Sequence, residues 1–154
     1  MAASGLVPGL RFVDGDLFAS RCQTLVNQVC RFGTMGTGIT LEFQRRFPAH
    51  YDHWRRLLPD WEWLPAEPFL TRDTGGPWIV GLPVQLHSTH PIFPFVVEHA
   101  LGRLAHRVVE WGVESLALPA LGCGRGGLDW ASVRPLLERH LGGLSLPIEV
   151  YEPR

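Results

Sequence analysis

The sequence predicts a single α/β domain built on a central, largely parallel sheet with helices on both faces. Three observations carry that prediction. Short apolar runs alternate with longer segments of helical spacing. The runs are continuous rather than alternating, the pattern of strands buried on both faces. Two glycine-rich segments, Gly33–Gly38 and Gly122–Gly127, each lie between such a run and a helix. A chain of 154 residues at 45% hydrophobic content can enclose one core and is too short for two comfortable ones, so one domain is expected over residues 1–154.

The strand candidates in chain order are Leu10–Val13, Thr24–Val29, Trp78–Leu82, Ser115–Leu118 and Ile148–Tyr151. After the first glycine segment, Ile39, Phe43 and Phe47 recur four apart, which predicts a helix over Ile39–Phe47. Pro48 then introduces a second helix over His50–Leu58. Leu101, Leu104 and Val108 place the longest helix over Phe95–Trp111, stopped by Gly112 in a position suited to a left-handed cap. The last helix begins at Asp129, a natural N-cap residue, and ends at Gly142 and Gly143. Pro59–Pro77, rich in Pro and Trp, reads as a loop and a hairpin arm that turns at Gly75 and Gly76 into Trp78.

Composition narrows the function classes. No run of eighteen or more apolar residues occurs and Met1–Leu6 has no signal-peptide character, so no membrane partner and a cytoplasmic location are expected. Cys22, Cys30 and Cys123 are odd in number and lack metal-type spacing, which predicts free thiols. The net charge of -1 argues against stable nucleic-acid binding through phosphate neutralisation, although Arg45, Arg46, Arg55 and Arg56 make a local basic surface that a visiting nucleic acid can meet. The pairs His50/His53 and His87/His90 have helical or turn spacing but no supporting Cys or carboxylate, so no metal is called for, and no cofactor either. All fourteen basic residues are arginine; the chain has no lysine.

The chemistry sits at the two glycine segments. Glycine lets backbone approach a ligand closely, and the N-terminus of the following helix offers unpaired N–H groups and partial positive charge, which together suit phosphate. Without lysine a Walker loop is excluded on chemistry. Gly122, Gly124 and Gly127 satisfy the dinucleotide spacing, with Glu149 beyond as a ribose acceptor, but that motif normally opens the first βαβ unit and here only one helix and one strand follow. A Rossmann-type NAD-binding domain is therefore the remote alternative.

Leu25-Val26-Asn27 followed by Gly33-Thr34-Met35-Gly36-Thr37-Gly38-Ile39 and Phe43 resembles the first ADP-ribose-binding loop of macrodomains. Pro119-Ala120-Leu121-Gly122-Cys123-Gly124, then Gly126-Gly127-Leu128-Asp129-Trp130, resembles the second loop in the branch that holds the DarG antitoxin and the terminal ADP-ribose glycohydrolase; Gly15-Asp16-Leu17 matches the short signature after the first strand. The resemblance runs from about Phe12 to Tyr151 and implies a macrodomain-type three-layer sandwich with a mixed, largely parallel sheet. It also implies roles. Asp16, with Leu17, matches the acid that accepts from the adenine amine, and otherwise caps a turn. Asn27 matches the asparagine near the distal ribose, and otherwise satisfies backbone. Gly33, Thr34, Met35, Gly36, Thr37, Gly38 and Ile39 match one wall of the diphosphate site. Pro119, Leu121, Gly122, Cys123, Gly124, Arg125 and Gly126 match the other, with Cys123 contributing backbone rather than thiol chemistry.

Three departures bear on mechanism. Where the branch carries a lysine able to attack or polarise the distal ribose, Leu82-Pro83-Val84-Gln85 places Gln85, and the position of the glycohydrolase's catalytic aspartate is Gly126. Cys30 replaces the second asparagine of the DarG-type loop. A lysyl Schiff base is therefore impossible from any side chain. Hydrolysis then requires a lysine-independent, substrate-assisted route, in which phosphate oxygens stabilise the cationic ribose and orient water. His87 and Asp129 are the candidate proton carriers and Gln85 the candidate for positioning water; the plain alternatives are a surface histidine and an N-cap. Two functions follow from the resemblance: a hydrolase that removes ADP-ribose from an acidic protein side chain or a thymidine base in DNA, and a reader that binds the same group without cleaving it. The hydrolase is preferred because the second loop is otherwise intact.

Overall fold

The computed structural model describes residues 5–32, 35, 38–60, 67–73, 75–87 and 89–153, excepting the side chains of Arg31, Phe32, Asp60, Leu86 and Arg125. Six strands, β1 (Gly9–Val13), β2 (Thr24–Phe32), β3 (Phe69–Thr71), β4 (Trp78–His87), β5 (Leu116–Leu118) and β6 (Pro147–Tyr151), form one sheet in the order β1-β6-β5-β2-β4-β3. Every pairing is parallel except β3 with β4. This order is not that of a dinucleotide fold, and Glu149 is engaged by Ser20 Oγ (2.8 Å), Tyr151 OH (3.3 Å) and Cys22 Sγ (3.5 Å). The Rossmann alternative is thereby overturned.

Continuous apolar strands supply side chains to both faces. Val26, Val80, Leu82, Leu116, Leu118, Ile148 and Val150 pack against α3 (Pro94–Glu110) and α4 (Trp130–Leu141). On the opposite face, Leu25, Ile79 and Ala117 meet Phe43 of α1 (Gly38–Arg46), and Val29 and Cys30 meet Trp54 of α2 (Pro48–Leu57). The result is the expected three-layer α/β sandwich. α3 ends at Trp111, with Gly112 in the left-handed region at φ +69.

Two strands run further than the sequence pattern suggests, β2 to Phe32 and β4 to His87. Pro83 has no N–H to give the ladder and so reads as a strand end. The sheet instead passes it by a register shift: Val29 pairs with Pro83 and Cys30 with Gln85, skipping Val84. Asn27 consequently stands mid-strand rather than at a strand end. Its row across the sheet is Asn27, Gly81, Phe69. The Phe69 ring lies over Gly81, where a Cβ would come within 2.2 Å of it, and stacks on His50 of α2 at 5.4 Å. The hairpin arm anticipated before Trp78 is β3, so the Pro- and Trp-rich segment supplies a strand that buttresses the α2 face.

Candidate active site

The parallel strands all end on one rim, the position at which open α/β sheets bind ligands. Segments leaving β1, β2, β4, β5 and β6 surround an elongated cleft there. Its two parts, about 400 Å³ and about 550 Å³, share Gln28, Gly38, Ile39 and Cys123 as walls and so form one trough. The proximal part is lined by Asp16, Leu17, Phe18, Pro119, Gly124 and Tyr151, and the distal part by Cys30, Met35, Gln85, Thr89, Ile92 and Gly126. Each volume lies in the range of small-molecule sites.

The second loop is built from its glycines. Gly122, Gly124 and Gly127 sit at φ +74, +74 and +80, where side-chain-bearing residues are strained. Gly122 N–H donates to Gln28 Oε1 (3.0 Å) and its carbonyl accepts from Leu128 N (3.0 Å), so the loop is tied to β2 and closed on itself. Ile92 N–H donates to Gly126 O (3.3 Å), which brings the β4–α3 connection against the same loop. At Gly126 the limit is space: a Cβ would stand 2.7 Å from Ile92 Cδ1.

At the proximal end Asp16 Oδ1 accepts from Phe18 N (3.0 Å), capping the 3-10 turn Leu17–Ala19, and its exposed carboxyl remains on the cleft wall. The turn-cap reading is therefore correct in geometry and compatible with a ligand role. Arg46 crosses the Phe18 ring with its guanidinium carbon 4.5 Å from the centroid, while pairing with Glu42 at 3.2 Å.

Several expected site residues stand elsewhere. Asn27 is fully buried, and among the described residues its Nδ2 meets His50 Nε2 (3.0 Å) and Met35 Sδ (3.7 Å) rather than the cleft or backbone. Leu121 is core, packed in the cluster that the sheet shares with α3 and α4. Gly122 acts through its tie to Gln28, behind the wall. His87 is not on the lining; it meets the cleft through Thr89. Asp129 holds the N-cap position of α4, yet its carbonyl takes Ser132 N (3.0 Å) and Val133 N (3.1 Å) while its side chain makes no capping bond. Its charge bears on Cys123: burial first, then Asp129, holds that thiol above its ordinary value, so it stays protonated. Gln85 is on the distal lining and donates through Nε2 to His90 O. Gly33, Thr34, Gly36 and Thr37 lie outside the described residues, as does the side chain of Arg125.

Sequence reasoning missed Gln28, Thr89 and Ile92. Gln28 had a signal, a second polar residue beside Asn27 in an apolar strand; the loop after His87 had none. The histidine pairs are used in packing and turns: His50 with Asn27, His53 Nδ1 with Thr71 Oγ1 (2.8 Å), His87 beside His90 at 5.3 Å. Among the described residues no group of three or more His, Cys, Asp or Glu is placed to hold a metal ion, and no helix is long and apolar enough to cross a membrane.

Gly38 at the start of α1 and the second glycine loop wall a trough at the strand ends, with an acid after β1. Comparison with solved structures decides the family. The macrodomain of Thermus aquaticus DarG superposes with a TM-score of 0.84 at 34% identity, covering 94% of this chain and 98% of that one. This chain belongs to the macrodomains. The macrodomain is also similar to Thermosipho africanus DarTG in complex with ADP-ribose, with a TM-score of 0.83, 31% identity and coverage of 94% of this chain and 42% of that one. Among curated proteins, a DNA ADP-ribosyl glycohydrolase of Thermus aquaticus is 35% identical over 150 residues, 94% of this macrodomain and 41% of that protein. The chain thus spans about two fifths of the length of the leading curated relatives. No protein-family profile matches it.

Proposed function

We propose that this macrodomain binds ADP-ribose along the trough and hydrolyses the bond joining its distal ribose to a modified macromolecule, with a base in DNA preferred over an acidic protein side chain. The observation that carries the reading is the single trough between Asp16 and Gly126, walled on both sides by glycine-bearing segments. The curated relatives named DNA ADP-ribosyl glycohydrolases favour DNA. Adenosine is assigned to Asp16, Leu17 and Phe18, the diphosphate to Gly38 and the backbone of Gly124, and the distal ribose to Cys30, Gln85 and Gly126.

The route is lysine-independent. The Gln85 amide is not a nucleophile, and its Nε2 is committed to His90 O. Stabilisation of the cationic ribose falls to the substrate's phosphates, held by backbone N–H groups of the second loop, which also orient water. The test incubates the protein with ADP-ribosylated thymidine DNA and with a protein ADP-ribosylated on acidic side chains, measuring released ADP-ribose, beside calorimetry with free ADP-ribose. Binding with release from the DNA is expected. Binding with no release from either substrate overturns the hydrolase and leaves a reader; absence of binding overturns both.

A further inference from the structure

We propose that Thr89 and His87 form the proton path into the distal end of the cleft. The proposal rests on the hydrolase reading above. Among the described residues lining the distal part, none carries a carboxylate, imidazole, guanidinium or amine. Its thiols are Cys30 and Cys123, and Cys123 is held protonated by burial and by Asp129. The described hydroxyls on this wall are those of Thr40 and Thr89, and one that meets an imidazole can pass a proton outward.

Thr89 supplies that hydroxyl. It lines the distal part, and His87 Nδ1 accepts from Thr89 N (3.1 Å). Thr89 Oγ1 lies 2.9 Å from the same nitrogen and donates to it. A turn needs only the backbone bond; the second bond aims the hydroxyl proton at the ring and leaves the oxygen lone pairs to accept from water in the cleft. The turn is held from two sides, by His90 N–H to His87 O (3.0 Å) and by Gln85 Nε2 to His90 O. Gln85, standing where the branch carries lysine, is thus a positioning residue for Thr89.

In the step, the oxygen of water forms a bond to the anomeric carbon of the distal ribose while the bond to the base or carboxylate breaks, its electron pair leaving with that group. The proton of water passes to Thr89 Oγ1 as the hydroxyl proton passes to His87 Nδ1, and the imidazolium returns it to the leaving group or solvent. General base assistance of this kind is worth about 100-fold or more in rate.

Release of ADP-ribose from modified DNA by the whole chain tests this, with calorimetric affinity for free ADP-ribose as the check that the cleft is intact. Thr89→Val and His87→Gln, the latter able to accept a hydrogen bond but not the proton, are expected to lower kcat about 100-fold with ADP-ribose affinity and KM little changed; Thr89→Ser is expected to restore most of the rate. Full kcat in Thr89→Val beside an active parent overturns the relay and leaves the hydrolase standing. Loss of ADP-ribose affinity together with rate, or no rescue by Thr89→Ser, also overturns it by making Thr89 structural. A parent that binds but does not cleave overturns relay and hydrolase together.

Discussion

Asn27 and His50 share one hydrogen bond in the core, and each keeps a fully buried polar atom, Asn27 Oδ1 and His50 Nδ1, without a hydrogen-bond partner among the described residues. Removing one residue strands the other, at a cost of about 1–3 kcal/mol for the orphaned group. Asn27→Leu and His50→Phe are each expected to destabilise the fold by that order, and the double variant by clearly less than the sum, because it leaves neither group behind. Urea unfolding of the four proteins measures this, and strictly additive losses refute the coupling. The pair also shows where the sequence was legible. Asn27 stood out by its match to the macrodomain asparagine, with backbone as the other reading, but its partner is supplied by a helix twenty-three residues on. His50 reads as one half of a histidine pair on a polar helix, and nothing local says that Phe69 covers it. Asp16, Gly38, Cys123 and Gly124 were legible because turns and glycine loops are local devices.

At the scale of elements, the strands and four helices were readable because each follows from its own period, and boundaries failed where pairing partners decide them. β4 outlasts Pro83 only because β2 accommodates it with a register shift, and β3 exists only as an arm on β4. The second loop and the β4–α3 connection show the same dependence. Gly126 is not at positive φ, so its glycine answers to Ile92 rather than to backbone strain. Gly126→Asp, which introduces a carboxylate at the distal wall, forces Ile92 Cδ1 aside and is expected to cost about 1–3 kcal/mol by overpacking. Ile92→Val removes that methyl and costs about 0.5–1.5 kcal/mol alone. In the Gly126→Asp background the same change is expected to stabilise, a reversal of sign read from melting temperatures. If Ile92→Val destabilises both backgrounds equally, Ile92 is not what excludes the acid.

For the whole molecule, buried groups that stay neutral in the fold set a stability plateau with two edges. Burial, and then the charge of His53, holds His50 at about 3 instead of 6.5. His53 is lowered too, by burial and then by Arg56. At His50 the unfolded chain therefore binds a proton below pH 6.5 that the folded chain refuses until about pH 3, so stability falls as pH drops through that interval, by up to about 1.4 kcal/mol per unit of pH, and His53 acts in the same direction. Carboxylates enter later: burial raises Glu67, but Arg103 and Arg107 outweigh it and hold the carboxyl below 4.5, so its contribution is lost only under that value. On the alkaline side, burial first and the Glu149 charge among the further causes push Cys22 from 9.0 to about 11. There the folded thiol keeps a proton the unfolded chain gives up, and stability falls as pH rises from 9 to 11. The melting temperature is expected to be level between about pH 6.5 and 9 and to slope down on both sides. His50→Phe keeps an aromatic ring against Phe69 but cannot titrate, so its melting temperature, lower throughout, is expected to be much flatter between pH 6.5 and 4.5. A slope over that interval as steep as the parent's refutes the buried imidazole as its source.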